Sequence, residues 1–123
     1  MTIWENGVPR ALGRLDNQQT LGIGVSEDGR VVVGHNFSGR DGAAIWTVEH
    51  GFMKLSVYLR QMGLQVPEGF EISRATGVSA DGRVISAYGR TGFGTIEAMV
   101  FVIPSPASVM LGVSVLLYAR RRR

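Results

Sequence analysis

A chain of 123 residues, 45% of them hydrophobic, can bury one modest core and no more than one domain. Its formal charge of +3 comes from four C-terminal arginines, because the rest carries nine basic and ten acidic residues; no basic patch interleaved with aromatics remains, which argues against nucleic-acid binding. Zero cysteines exclude disulfides and thiolate metal sites, and seventeen glycines beside a single lysine imply many tight turns and an all-β body.

Met1 to Arg10 hold neither a basic n-region nor an apolar h-region, so no export signal opens the chain. The same stretch begins a repeat: Trp4, Gly7, Leu12 and Leu15 resemble Trp46, Gly51, Leu55 and its neighbourhood, at spacings of about 42 to 44. The first full unit predicts strands at about 20 to 26, 30 to 37, 43 to 49 and 51 to 55. Its first two strands are joined at Asp28-Gly29, with Ser26 placed to bond turn backbone and Gly29 supplying φ > 0. Four strands per unit is blade-like.

An insertion from Leu55 to Ser73 follows, with Val57, Leu59, Met62 and Leu64 among polar residues. It predicts a short helix over Ser56 to Met62 with Gly63 as its C-cap, and Pro67 stops any continuation. Gly77-Val78-Ser79-Ala80-Asp81-Gly82-Arg83-Val84-Ile85 then repeats Gly24-Val25-Ser26-Glu27-Asp28-Gly29-Arg30-Val31-Val32 at a spacing of 53. Ser79, Asp81 and Gly82 thus reproduce the first turn, and strands are expected near 72 to 79, 83 to 89 and 95 to 103.

The chain leaves this body through Pro104, Ser105 and Pro106, runs uncharged from Ala107 to Ala119, and ends in Arg120, Arg121, Arg122 and Arg123. Thirteen apolar residues make a helix of roughly 20 Å, shorter than the roughly 30 Å hydrocarbon core of a bilayer, so arginine snorkelling and local thinning must help a transmembrane helix to span. The basic cluster orients that end to the cytoplasm and everything before Pro104 outside.

Two family resemblances follow from these residues. Ile103-Pro104-Ser105-Pro106-Ala107-Ser108, the apolar run Val109 to Ala119 and the arginines resemble the PEP-CTERM sorting signal of exported bacterial proteins, with Ser105 where that family usually has glutamate. The resemblance implies a membrane exosortase as partner, processing, and a final place at the cell surface or in the extracellular matrix. The two Gly-Val-Ser-x-Asp-Gly-Arg-Val segments, Gly34, and Ala44-Ile45-Trp46 with the looser Ala98-Met99-Val100 resemble the HAF repeat, an extracellular repeat often found upstream of such tails. That second copy carries Ser86 and Ala87 where the first has Val33 and Gly34, and it lacks the tryptophan.

The resulting expectation is a body at 1–103 of antiparallel β-hairpin repeats, an incomplete set of β-propeller-like blades, and a sorting segment at 104–123. The register starts mid-repeat, with the last two strands of one unit, one complete unit and three strands of a third. The chain is therefore expected to be a fragment of a longer protein. No catalytic set, metal or cofactor is expected. His35 and His50 read as surface histidines with no third ligand for a metal, and Ser26 and Ser79 lie in turns where the second copy puts Tyr88 opposite His35. Asp28 and Asp81 are expected a blade apart, and Trp4 and Trp46 are expected to pack between units. The function expected is that of a non-catalytic surface or matrix repeat protein, with a surface polysaccharide as a further partner. Terminal blades of a secreted hydrolase with its catalytic residues upstream, or a carbohydrate-binding adhesin using Trp4 and Trp46, are the alternatives.

Overall fold

A computed structural model describes residues 1–13, 19–37, 40–67, 69–91 and 94–104. Their strands form three antiparallel sheets of two, four and three strands. The first is a hairpin of β1 (Thr2–Glu5) and β2 (Val8–Ala11). Asn6 and Gly7 join its strands with φ of 51° and 80°, the left-handed pair that a two-residue type I′ turn requires. The second sheet runs in chain order through β3 (Thr20–Val25), β4 (Val31–Asn36), β5 (Ala43–Thr47) and β6 (Gly51–Lys54). The third consists of β7 (Glu71–Val78), β8 (Val84–Arg90) and β9 (Ile96–Val102). The body is thus all-β with antiparallel hairpins, apart from one short helix, α1 (Leu55–Gln61).

The middle sheet is covered on both faces, which is why β5 is buried at every position and reads Ala-Ala-Ile-Trp-Thr, without alternation. One face turns Val33, Ala43 and Ile45 toward Ile72, Ala75, Ile85, Ala87 and Phe101 of the third sheet. Leu55, Tyr58, Leu59 and Leu64 of the helix and its exit close this core from one side. Burying each of Ile45, Leu55, Leu59, Ile72 and Ile85 stabilises the fold by about 1.5 to 3 kcal/mol. The opposite face turns Val32 and Trp46 toward Leu12, with Met1, Ile3 and Phe52 packed around them, so the first hairpin lies on the outer half of the sheet.

The helix ends as the Gly63 assignment predicts. Gly63 has φ of 89°, its N–H donates to the Arg60 carbonyl at 3.1 Å, and the Leu64 N–H reaches back to the Leu59 carbonyl at 2.9 Å. These are the two bonds of a Schellman motif, with Leu64 buried beneath it. The start of the helix has no side-chain cap from Lys54. Instead Asp41, at the β4–β5 corner with φ of 39°, accepts hydrogen bonds from the Ser56 hydroxyl at 3.0 Å and the Ile72 N–H at 3.2 Å. One carboxylate therefore ties the second sheet, the helix and the first strand of the third sheet together.

Three expectations need correction. The second-copy partner of Trp46 is Phe101: Val32 pairs with Trp46 and its repeat equivalent Ile85 pairs with Phe101, so Ala44-Ile45-Trp46 aligns with Met99-Val100-Phe101. Linear spacing misplaced it because the β8–β9 hairpin is longer: Tyr88 pairs with Ala98, ten positions on, where His35 pairs with Ala43, eight positions on. The β3–β4 pairing shifts once, between Gly22 and Gly24, and the β7–β8 pairing shifts at the equivalent place, between Ala75 and Gly77, and again between Ile72 and Arg74. Ala87 pairs with Ala75 as Gly34 pairs with Gly22, so Ala87 is the counterpart of Gly34 by register, while the close approach of the strands falls at Gly89, beside the additional bulge. A Cβ on Gly34 would strike the Leu21 carbonyl, and a Cβ on Gly89 would strike the Glu71 carbonyl in the same way.

His35 is the second correction, for its side chain is buried at 5% exposure on β4 and not at the surface. Trp4 is the third: it is 67% exposed, whereas Trp46 is 8% exposed, because the hairpin turns Ile3 and not Trp4 toward the middle sheet. The two Asp-Gly turns belong to neighbouring sheets and touch through the backbone of Glu27 and Ala80.

Candidate functional site

The two repeat turns carry the most closely matched chemistry in the chain. In the first, the Ser26 hydroxyl donates to Asp28 Oδ1 at 2.9 Å and accepts the Val31 N–H at 3.1 Å, while the Arg30 N–H donates to the same Asp28 oxygen at 3.1 Å. In the second, Ser79 donates to Asp81 Oδ1 at 2.6 Å and accepts from Val84 N–H at 3.0 Å, and the Arg83 N–H reaches Asp81 Oδ1 at 3.0 Å. The main chain agrees as well: Gly29 N–H to Ser26 carbonyl and Gly82 N–H to Ser79 carbonyl, at 3.0 and 2.9 Å. Five residues, Ser26 to Arg30, separate β3 from β4, so the loop is longer than a two-residue hairpin, and Gly29 and Gly82 take φ of 76° and 78°.

The electrostatics follow from these bonds. The Arg30 N–H and then the Ser26 hydroxyl hold the Asp28 carboxyl below its ordinary range. The Ser79 hydroxyl and then the Arg83 N–H do the same for Asp81. Each serine hydroxyl is committed to the turn on both its donor and its acceptor side, so it braces backbone and is not poised as a nucleophile.

The turns also meet. The Glu27 N–H donates to the Ala80 carbonyl at 2.8 Å, and the backbone of Gly24 lies close against Gly77, where a Cβ would come 3.4 Å from the Gly77 Cα. Successive units are thus in register at their turns, with glycines permitting the approach of β3 to β7. Gly82 sits against Val31 of the preceding unit, at 2.9 Å from where its Cβ would be, while Gly29 faces open space. Gly29→Val is accordingly expected to cost about 1 to 3 kcal/mol for the left-handed backbone alone. Gly82→Val should cost more, since it adds a clash between units. Equal shifts in the denaturation midpoints of the two variants would count against the inter-unit contact.

The repeat arginines mark where each unit's third strand ends. The Arg30 carbonyl accepts the Val48 N–H at 3.0 Å, and the Arg83 carbonyl accepts the Ile103 N–H at 2.7 Å. Arg83 additionally forks its guanidinium onto the Ile103 carbonyl, at 3.2 and 3.1 Å. Ile103 is buried, so the chain is anchored up to Pro104. Ser105, Pro106, the run Ala107 to Ala119 and Arg120, Arg121, Arg122 and Arg123 lie outside the described residues. Among the described residues, no helix is long and apolar enough to cross a membrane.

The two histidines do not come together. His50 is exposed in the β5–β6 turn, where its N–H donates to Thr47 Oγ1 at 2.9 Å. His35 packs edge-on against Phe37, ring centroids 6.0 Å apart, and its buried Nδ1 has no hydrogen-bond partner. Burial, and secondly the nearby Arg74 charge, push its pKa below the ordinary histidine value. A histidine whose folded pKa is depressed costs stability as pH falls from its unfolded value of about 6.5 toward that lower pKa, because the unfolded chain takes up the proton first. Denaturation midpoints should therefore fall between pH 7.5 and pH 5, and His35→Asn should flatten that slope. A slope unchanged by the substitution would assign the effect to other groups. Among the described residues no group of three or more His, Cys, Asp or Glu side chains is arranged to hold a metal ion.

Comparison with protein-family models finds none that matches the chain, and no curated protein or solved structure is significantly similar to it.

Proposed function

We propose that this chain is a non-catalytic exported repeat protein of the bacterial cell surface or extracellular matrix. In this reading its sheets stack as propeller-like blades, and its segment 104–123 is an exosortase-type sorting signal and membrane anchor. The observation that carries the reading is the duplicated turn. Ser26-Asp28-Gly29 and Ser79-Asp81-Gly82 make the same bonds, contact one another, and place the polar residues in bracing positions. Conserving backbone geometry from unit to unit is what a stacking scaffold needs, since each unit buries its faces against its neighbours. The order of Pro104-Ser105-Pro106, thirteen apolar residues and four arginines supplies the address.

The test is made on the exported full-length protein. Replacing Arg120 to Arg123 with serine should release or misorient it, while lysine at the same positions should keep its orientation, because the charge term is shared. Fractionation and protease shaving read the outcome. Retention and orientation unchanged in the serine variant would remove the anchor from the reading.

A further inference from the structure

The interface between units has one polarity. Unit by unit, the face carrying Val33 and Ile45 packs onto the face carrying Ile85 and Phe101 of the next, and the face carrying Ile3 packs onto the face carrying Val32 and Trp46. Among the described residues, each end of the array exposes one half of the same contact. At one end, pairing register puts Val100 at the position of Ile45 and Val102 at that of Thr47, and both are exposed beside Val84 and Ile96. Thr76 and Ser86 on this face share a hydrogen bond of 2.8 Å, so covering them leaves one O–H donor to place and not two. At the other end stands Trp4, the counterpart of Trp46 and Phe101, exposed among the described residues.

The burial of equivalent positions shows what a covering unit does. Val78 of the third sheet is packed against the full sheet that precedes it. Its counterpart Val25 is 55% exposed, because the sheet that precedes it has two strands and not four.

We propose that the outer face of the third sheet, at Val84, Ile96, Val100 and Val102, binds the Trp4 face of a second copy of this chain, head to tail. The occupant is argued from continuity: this chain itself builds the contact twice, in that direction, and exposes the two complementary halves of it among the described residues. Such a contact is heterologous and adds copies in a line, not a closed pair. The inference rests on the stacking reading above.

Sedimentation of the full-length chain in mild detergent over a concentration series tests it, using Trp4→Glu and Val100→Glu. Wild-type chain should form species beyond the dimer. Each variant alone should lose association by at least about tenfold, whereas an equimolar mixture should form a heterodimer and stop, since each variant keeps one intact half. Ile96→Glu, at a more exposed position, serves in place of Val100→Glu should that variant lose its fold. A monomeric wild type, a monomeric mixture, or single variants that associate like wild type each overturn the proposal. In Trp4→Glu the remaining tryptophan is Trp46, whose emission reports the contact inside the chain. Blue-shifted emission beside a monomeric mixture overturns the contact between copies alone, and red-shifted emission overturns the stacking reading with it.

Discussion

Gly34→Ala and Gly89→Ala are each expected to destabilise the protein by on the order of 3 kcal/mol, more than any other single-methyl change in the sheets. Gly34 pairs with Gly22 and Ala44, and Gly89 pairs with Ile72 and Glu97, both at the middle of a central strand. In each case the added methyl would collide with the main-chain carbonyl of the neighbouring first strand, Leu21 or Glu71. A carbonyl held in a ladder cannot rotate away as a side-chain tip can, so the strand pair must open. Ala87→Gly is the control. It lies where linear spacing would put the close approach, so it should lose only buried area and chain rigidity, about 1 kcal/mol. Urea titrations read all three, and an Ala87 variant as costly as the Gly89 variant would count against a close approach at Gly89.

Truncating the aromatic at the third strand of each unit should sort by what lies over it. Trp46→Ala and Phe101→Ala are expected to cost about 3 to 5 kcal/mol each, because both side chains fill well-packed interfaces between units. Trp46 also loses the Arg10 guanidinium that sits 5.5 Å from its ring, worth a further half to one kcal/mol or so. Trp4→Ala, measured at concentrations where copies stay apart, should change stability by less than about 0.5 kcal/mol. Denaturant midpoints with an unchanged dependence on denaturant check this order. A large loss from Trp4→Ala under those conditions would mean that Trp4 packs within its own chain.

Much of the sheet plan was legible in the residues. Strands at Thr20–Val25, Val31–Asn36, Ala43–Thr47 and Gly51–Lys54 fall where alternating apolar runs and Gly-bearing turns put them, and so do Glu71–Val78, Val84–Arg90 and Ile96–Val102. Gly63 was readable as a helix stop because its left-handed backbone is a local demand. The candidate site was legible in kind but not in arrangement. Ser-x-Asp-Gly marks a braced turn, since all its bonds close within six residues, yet nothing local says that one such turn will donate Glu27 N–H to the carbonyl of the other. Asp41 gave no signal at all. Its partners Ser56 and Ile72 are fifteen and thirty-one residues away, so its role exists only once the corner, helix and strand are assembled.

Chain-local chemistry thus determined the all-β class, the units of two, four and three strands and the glycine-dependent turns. These depend on side-chain period, φ preference and composition, which act over a few residues. Tertiary structure alone decided that Phe101 matches Trp46, because the β8–β9 hairpin is longer than the β4–β5 hairpin, and that the close approach in the third sheet falls at Gly89, beside an additional β-bulge. It also decided that His35 is buried and Trp4 exposed. Each sits on a strand with two similar faces, and burial there depends on which face receives a neighbouring sheet, a property of the packed array and not of the strand.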